Sequence, residues 1–431
     1  MANNNERYDL SNRLIHFFRK VDLSDGSSRP LPEWLGASNI VEDDIISPLF
    51  LLRCCIRNDN LWATWSYRGR VRTIYGLNPA VCFTEMPLAA FIETSTIREE
   101  NGEKMSTYGL MFKKKDLFKI GARPVIYGLS NPSASIPSGK DGKARVICQC
   151  DLPLSEQYRY VTYDPVGESG YKVDWTHERE WRCKYTDQKK IIDAENEMER
   201  DGLLAEDFQY PGFKLSDPTI TEIGVIVCND SDEKKILNDI LCSVFRELYS
   251  PTKFSFIVNT SKILSTIDLR DFYKGEEVIQ SSKIMIEKYL KYDEDLANET
   301  LTKMWELESE VEKGVKKCYQ EKTDGACWLW FYNIFDDKVR SLLLKGEFKI
   351  NRDNKILYLP HYIEFTRPLA EKQEMFEKLA NKIKQKLGMD CGYFSVRGVG
   401  PEKKLYDNIP FDVSDIPNEY NHIYNNYADD F

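Results

Sequence analysis

The apolar positions along the chain change their pattern near the midpoint. In the first half they form short alternating or continuous runs separated by polar turns. This pattern predicts strands over residues 13–19 (Arg-Leu-Ile-His-Phe-Phe-Arg), 81–84 (Val-Cys-Phe-Thr), 107–112, 123–127 and 158–163. Residues 43–57 read as a buried helix, whose greasy stretch 45–56 is broken only by Ser47, Pro48 and Arg53. A helical turn follows Pro87 over residues 88–93, and a short helix over 113–120 is closed by Gly121. Residues 130–143, rich in Ser, Gly and Pro, read as a mobile loop, and residues 175–185 close the region.

Composition then shifts. Residues 187–207 carry eight acids against three bases, the signature of a solvated helix or connector, and a domain boundary is expected between Pro211 and Pro218. Beyond it, residues 223–228 are continuously apolar, as in a strand buried on both faces. Ile236, Leu237, Ile240, Leu241, Val244, Phe245 and Leu248 make a helical stripe, and residues 254–258 a second buried strand, so the second half opens on a βαβ-like unit. Residues 282–322 are charged and helical. A helix starting near Pro368 turns Met375, Phe376, Leu379, Ile383 and Leu387 inward and stops at Gly388, before a closing strand over 392–396. The tail after Phe411 has five acids and no Lys or Arg, and is expected to be loosely ordered. The expectation is an α+β protein of two domains, 1–215 and 216–431, the second of α/β type.

A chain of 431 residues, 42% hydrophobic and 12% aromatic, can fill two real cores. Its net charge of −10 argues against a general nucleic-acid coat but leaves room for a local basic groove. The eleven cysteines are odd in number and form no CxxC pair, and with only four histidines they read as reduced thiols of a cytoplasmic protein; no metal site is expected. The N-terminus has no apolar signal region, and no run of about 18 apolar residues occurs, so no membrane association is expected.

Candidate chemistry concentrates in His177-Glu178-Arg179-Glu180-Trp181-Arg182. On a strand, positions i and i+2 share a face, so Glu178 and Glu180 would project into one cleft. On a helix they diverge by about 200°, and Glu178 would instead pair with Arg182 on a solvated face. Trp175 and Trp181, close to Asp174, Glu178 and Glu180, favour a partly buried polar site.

The succession His-Phe-Phe-Arg, Val-Cys-Phe-Thr-Glu-Met-Pro, Tyr-Gly-Leu-Met-Phe-Lys-Lys, Arg-Pro-Val-Ile-Tyr-Gly and Asp-Trp-Thr-His-Glu-Arg-Glu-Trp-Arg, over about residues 12–186, resembles the AbiGi-type abortive-infection proteins and related bacterial families with a Trp-x-x-Glu-x-Glu-Trp-Arg signature. These look like distant relatives of the ADP-ribosyltransferase fold, in which a split antiparallel sheet clamps NAD. The resemblance implies that Glu180 is the catalytic acid and that Glu178 orients the nucleophile or target. It implies that His16, with Phe17 beside it, holds the nicotinamide ribose, and that Tyr108, or else Tyr127, stacks on nicotinamide. Thr84 lies in the same site on this reading, and Arg182 or Arg19 contacts the pyrophosphate. NAD would be the substrate, and the partner a macromolecular target, protein or nucleic acid. The leading expectation is an effector of a bacterial antiphage or toxin–antitoxin system that transfers ADP-ribose. The alternatives are a non-catalytic antitoxin that binds a cognate toxin, and a nuclease effector. Each site residue also has a plain structural role open to it: His16 and Tyr108 in packing, Thr84 in capping, Arg182 in holding Glu178.

Overall fold

The computed structural model describes residues 10–22, 45–68, 71–129, 144–148, 152–167, 172–199, 210–316, 325–351, 354–364 and 366–397. The expected loop 130–143 and the acidic tail lie outside these residues. The described chain divides into two units. The first is built from the chain up to Ile236 and from Thr252–Ile284, the second from Leu237–Pro251 and the chain from Met285 onward.

The first unit runs β1 (Arg13–Phe17), α1 (Pro48–Asn58), β2 (Ala80–Thr84), α2 (Leu88–Glu100), β3 (Gly109–Lys113), α3 (Lys114–Lys119), β4 (Arg123–Pro124), β5 (Glu180–Lys184), α4 (Gln188–Glu199), β6 (Ile223–Val227), the start of α5 (Asp230–Phe245), β7 (Phe254–Asn259) and α6 (Phe272–Ser281). The seven strands form one sheet in the order β7-β6-β3-β1-β2-β5-β4. Helix α1 begins where Pro48 removes a donor and Ser47 accepts the Phe50 amide at 3.1 Å; it ends at Asp59 in the left-handed region. Residues 45–46, expected to be helical, pair instead as a short strand with Val21–Asp22.

Two expectations are corrected here. The large sheet is mixed and not wholly antiparallel, because β7 runs parallel to β6. The boundary near residue 215 is also displaced. β6 and β7, expected to open the second domain, join the first sheet, with β6 pairing antiparallel to β3 from Ile223↔Phe112 to Ile226↔Gly109. The apolar run is a strand buried on both faces, as its pattern predicts: Ile223, Val225, Ile226 and Val227 are fully buried, each contributing about 1.5–3 kcal/mol. Which sheet completes itself with that strand is a tertiary matter that a local run does not encode.

The second unit contains α7 (Glu294–Gly314), β8 (Gly325–Phe331), α8 (Asp337–Lys345), β9 (Lys349–Ile350), β10 (Ile356–Tyr358), α9 (Leu369–Leu387) and β11 (Cys391–Arg397). Its four strands, ordered β9-β10-β8-β11, all pair antiparallel. The expected α/β domain is therefore itself α+β. Helix α9 buries Met375, Phe376, Leu379 and Ile383 and stops at Gly388, whose φ of 68° suits glycine, as its periodicity predicted. No helix among the described residues is long and apolar enough to cross a membrane.

Candidate functional site

The site begins with a local weakness in the large sheet. β1 and β3 pair over five register positions, from Arg13↔Lys113 to Phe17↔Gly109. Across its other edge β1 meets β2 at one register pair, Ile15↔Thr84. There the Cys82 carbonyl is taken by a side chain, with His16 Nδ1 at 2.8 Å. A carbonyl can only accept, so Nδ1 carries the hydrogen and Nε2 keeps its lone pair. Burial pushes the imidazole down to about 4, against a smaller opposing pull from the Cys82 hydrogen bond. The ring is neutral near pH 7.

On the far side of β2, β5 pairs in register: Glu180 faces Thr84, Arg182 faces Cys82 and Lys184 faces Ala80. Strand alternation therefore puts Thr84, Cys82, Glu180 and Arg182 on one face. These residues, with His16, Phe17, Arg19 and Glu178, line a cleft of about 910 Å³ in the first unit, within the usual range for small-molecule sites. Lys and Arg outnumber Asp and Glu seven to three along its walls, in a chain of net charge −10.

The two carboxylates reach this cleft by neither of the expected routes. Residues Thr176–Glu178 form a 3-10 turn, Arg179 adopts φ 45° and ψ 49°, and the strand starts at Glu180. A left-handed arginine is costly, of order 1 kcal/mol, and the surroundings hold it firmly. Thr84 Oγ1 donates to the Glu178 carbonyl at 2.6 Å, the Glu85 amide donates to the Arg179 carbonyl at 3.1 Å, and the Glu180 amide donates to Tyr127 Oη at 3.2 Å. Tyr127 Oη in turn donates to the Trp175 carbonyl at 3.2 Å.

Each acid has its own arginine. Arg182 grips Glu180 through two bonds, Nε–Oε1 at 2.7 Å and Nη2–Oε2 at 3.0 Å, and its Nη1 donates to the Tyr158 and Tyr160 carbonyls at 2.6 and 3.2 Å. Burial alone would lower the guanidinium, but Glu180 outweighs it and holds the group protonated. Arg98 of α2 donates to Glu178 Oε1 at 2.9 Å and to Glu103 at 2.7 Å. The Cys82 thiol beside Glu180 is pushed far up, first by burial and then by that carboxylate, and stays a thiol.

Several anticipated roles are displaced. Arg182 is 5% exposed and its donors are spent on Glu180 and two carbonyls, which leaves it unsuited to a pyrophosphate. Tyr108 is absent from the cleft walls; its hydroxyl donates to Asp232 at 2.5 Å. Tyr127 is likewise absent from them and acts as the clasp just described. Trp181 turns away to Glu85, with Nε1–Oε2 at 2.7 Å. Sequence reasoning missed Cys82, Arg98, Trp65, Tyr75 and Arg145. Only Cys82 carried a signal, its alternation with Thr84. Among the described residues no group of three or more His, Cys, Asp or Glu is placed to hold a metal ion.

Residues 288–427 are similar to a family described as "Protein of unknown function (DUF4427)". This match falls in the second unit and outside the cleft. Neither the curated proteins nor the solved structures give a match to the chain.

Proposed function

We propose that the cleft binds NAD and that the protein transfers ADP-ribose to a macromolecular target. The observation that carries this reading is the meeting of Glu178, Glu180 and the neutral His16 on the walls of one ligand-sized cleft. Breaking the bond between nicotinamide and ribose leaves an oxocarbenium-like centre, with the electron pair departing on nicotinamide. Glu180, oriented by Arg182, stabilises that charge, an effect of about 3–4 kcal/mol if it matches one electrostatic contact in other enzymes. His16 Nε2 accepts a ribose hydroxyl. Glu178 takes the proton of the attacking target group as its bond to the ribose forms. The sheet that parts beside His16 supports a relation to the ADP-ribosyltransferase fold, and the resemblance of the first half to abortive-infection proteins supports a role in bacterial antiphage defence or a toxin–antitoxin pair.

The direct test incubates the full chain with labelled NAD and cell extract. Label on a macromolecule and free nicotinamide are expected, with loss of both, and of toxicity in cells, for Glu180→Gln. NAD left intact and equal toxicity for Glu180→Gln would overturn the reading.

A further inference from the structure

Three basic residues of the cleft wall have no acidic partner among the described residues. Among the described residues, Arg68, Arg145 and Lys172 make no ion pair, whereas Arg98 and Arg182 are each committed to an acid. Arg145 is the most informative. Its guanidinium lies 4.5 Å from the centre of the Tyr75 ring, and its Nε is buried without a hydrogen-bond partner. Tyr75 is itself fixed, 1% exposed, with its hydroxyl 3.0 Å from Thr162 Oγ1. Trp65, another wall residue and 3% exposed, also has an Nε1 donor without a partner. Native proteins leave few buried donors unsatisfied, and those that remain call for a reason.

Strand registers locate these groups. Thr64 bridges to Ala80, and Gly76 to Arg145. Ile74 packs on Ala80. The segments carrying Trp65, Tyr75 and Arg145 therefore stand by the Ala80 end of β2, while Glu180 faces Thr84 at its other end. Four strand steps separate Ala80 from Thr84, about 13 Å. The cleft therefore has Glu180 toward one end and Arg145, with Trp65 and Tyr75, toward the other. Lys172, three residues before Trp175, stands on the segment leading back to the acids.

We infer that Arg145, with Arg68 and Lys172, forms an anion subsite for phosphoryl groups, about one strand length from the two glutamates. An arginine braced on an aromatic face gains a preorganised fork of donors suited to phosphate oxygens. Arg145 is half-buried in this concave wall, with the exposed Arg68 and Lys172 lining the same cleft, and offers positive charge to an anion that the net-negative surface would repel. The subsite stands apart from the acids and does not require the transfer reaction. If the NAD reading holds, it assigns the pyrophosphate, or a phosphate on the distal ribose, to Arg145 in place of Arg182.

Equilibrium titration of the full chain with inorganic pyrophosphate, NAD and NADP tests this. Pyrophosphate is expected to bind wild type and to weaken roughly tenfold or more in Arg145→Gln. Arg145→Lys is expected to recover part of the loss. Arg68→Gln, at an exposed position that places no burden on folding, is expected to weaken binding in the same direction. NAD and NADP separate the two phosphoryl sources: tighter NADP points to the ribose phosphate, equal affinity to the pyrophosphate. No pyrophosphate binding by wild type, or unchanged binding in both Arg145→Gln and Arg68→Gln, overturns the inference. Pyrophosphate binding without NAD turnover keeps the subsite and removes the transferase reading. NAD turnover with no pyrophosphate binding does the reverse.

Discussion

His16 donates its Nδ1 hydrogen to the backbone carbonyl of Cys82 across the point where β1 and β2 part. The imidazole does the work of a backbone amide in the sheet, and the same contact leaves Nε2 as an acceptor on a residue that lines the cleft. The join between the two strands therefore depends on one protonation state of His16.

That state fixes a pH dependence. The folded-state value is lowered to about 4 from an ordinary 6.5. Between these values the unfolded chain binds more protons than the native one, so stability is full above about 6.5 and falls as pH drops toward 4. The loss is on the order of 3 kcal/mol. Urea unfolding from pH 7 to pH 4 checks this: wild type is expected to lose stability over that window, and His16→Gln to lose less. Equal slopes for the two proteins would contradict it.

Arg182→Met is expected to destabilise by about 3–5 kcal/mol, since it leaves the Glu180 charge and two buried carbonyls without their partner. In a double-mutant cycle by guanidinium unfolding, Glu180→Gln combined with Arg182→Met should cost clearly less than the sum of the single changes. Strict additivity would mean that the pair is not coupled.

Thr84→Val keeps shape but removes a hydroxyl that donates to the Glu178 carbonyl and accepts the Met86 amide at 3.1 Å. A cost of about 1–3 kcal/mol is expected, with faster amide hydrogen exchange in the peptide spanning residues 176–180. Thr84→Ser should restore slow exchange. A valine variant that exchanges as slowly as wild type would show that the turn is held by its other clasps alone.

Gly224→Ala tests the join between β6 and β7. A Cβ at this position would collide with the Phe256 ring. Overpacking of this kind costs about 1–3 kcal/mol, read as a lower Tm, and Phe256→Leu in the same chain should recover part of it.

Much of this architecture was legible where one residue pattern permits one answer. Arg13–Phe17, Ala80–Thr84 and Ile223–Val227 were readable as strands, and α9 with its Gly388 stop was readable from its stripe. The union of β6 with β3 was not, because Ile223–Val227 would be equally apolar in any sheet that buries both its faces. Glu178 and Glu180 line one cleft, but not through the shared strand face that their spacing suggested: the left-handed Arg179 lies between them, and nothing about an arginine announces a positive φ. Arg98 and Arg145 reach the cleft from a helix and from a segment remote in sequence, and no spacing rule connects either of them to this cleft.

The membership of Ile223–Val227 in the large sheet bears on how this protein can be dissected. A fragment cut at residue 215 would lose both β6 and β7 and leave β3 paired on its β1 side alone. Gly109–Lys113, an almost wholly apolar strand, would then present bare amides and carbonyls to any other chain it met, an invitation to fibrous or amorphous association. A workable excision of the cleft-bearing half must carry the chain through Ile284 and replace Leu237–Pro251 with a short bridge, or keep the polypeptide whole.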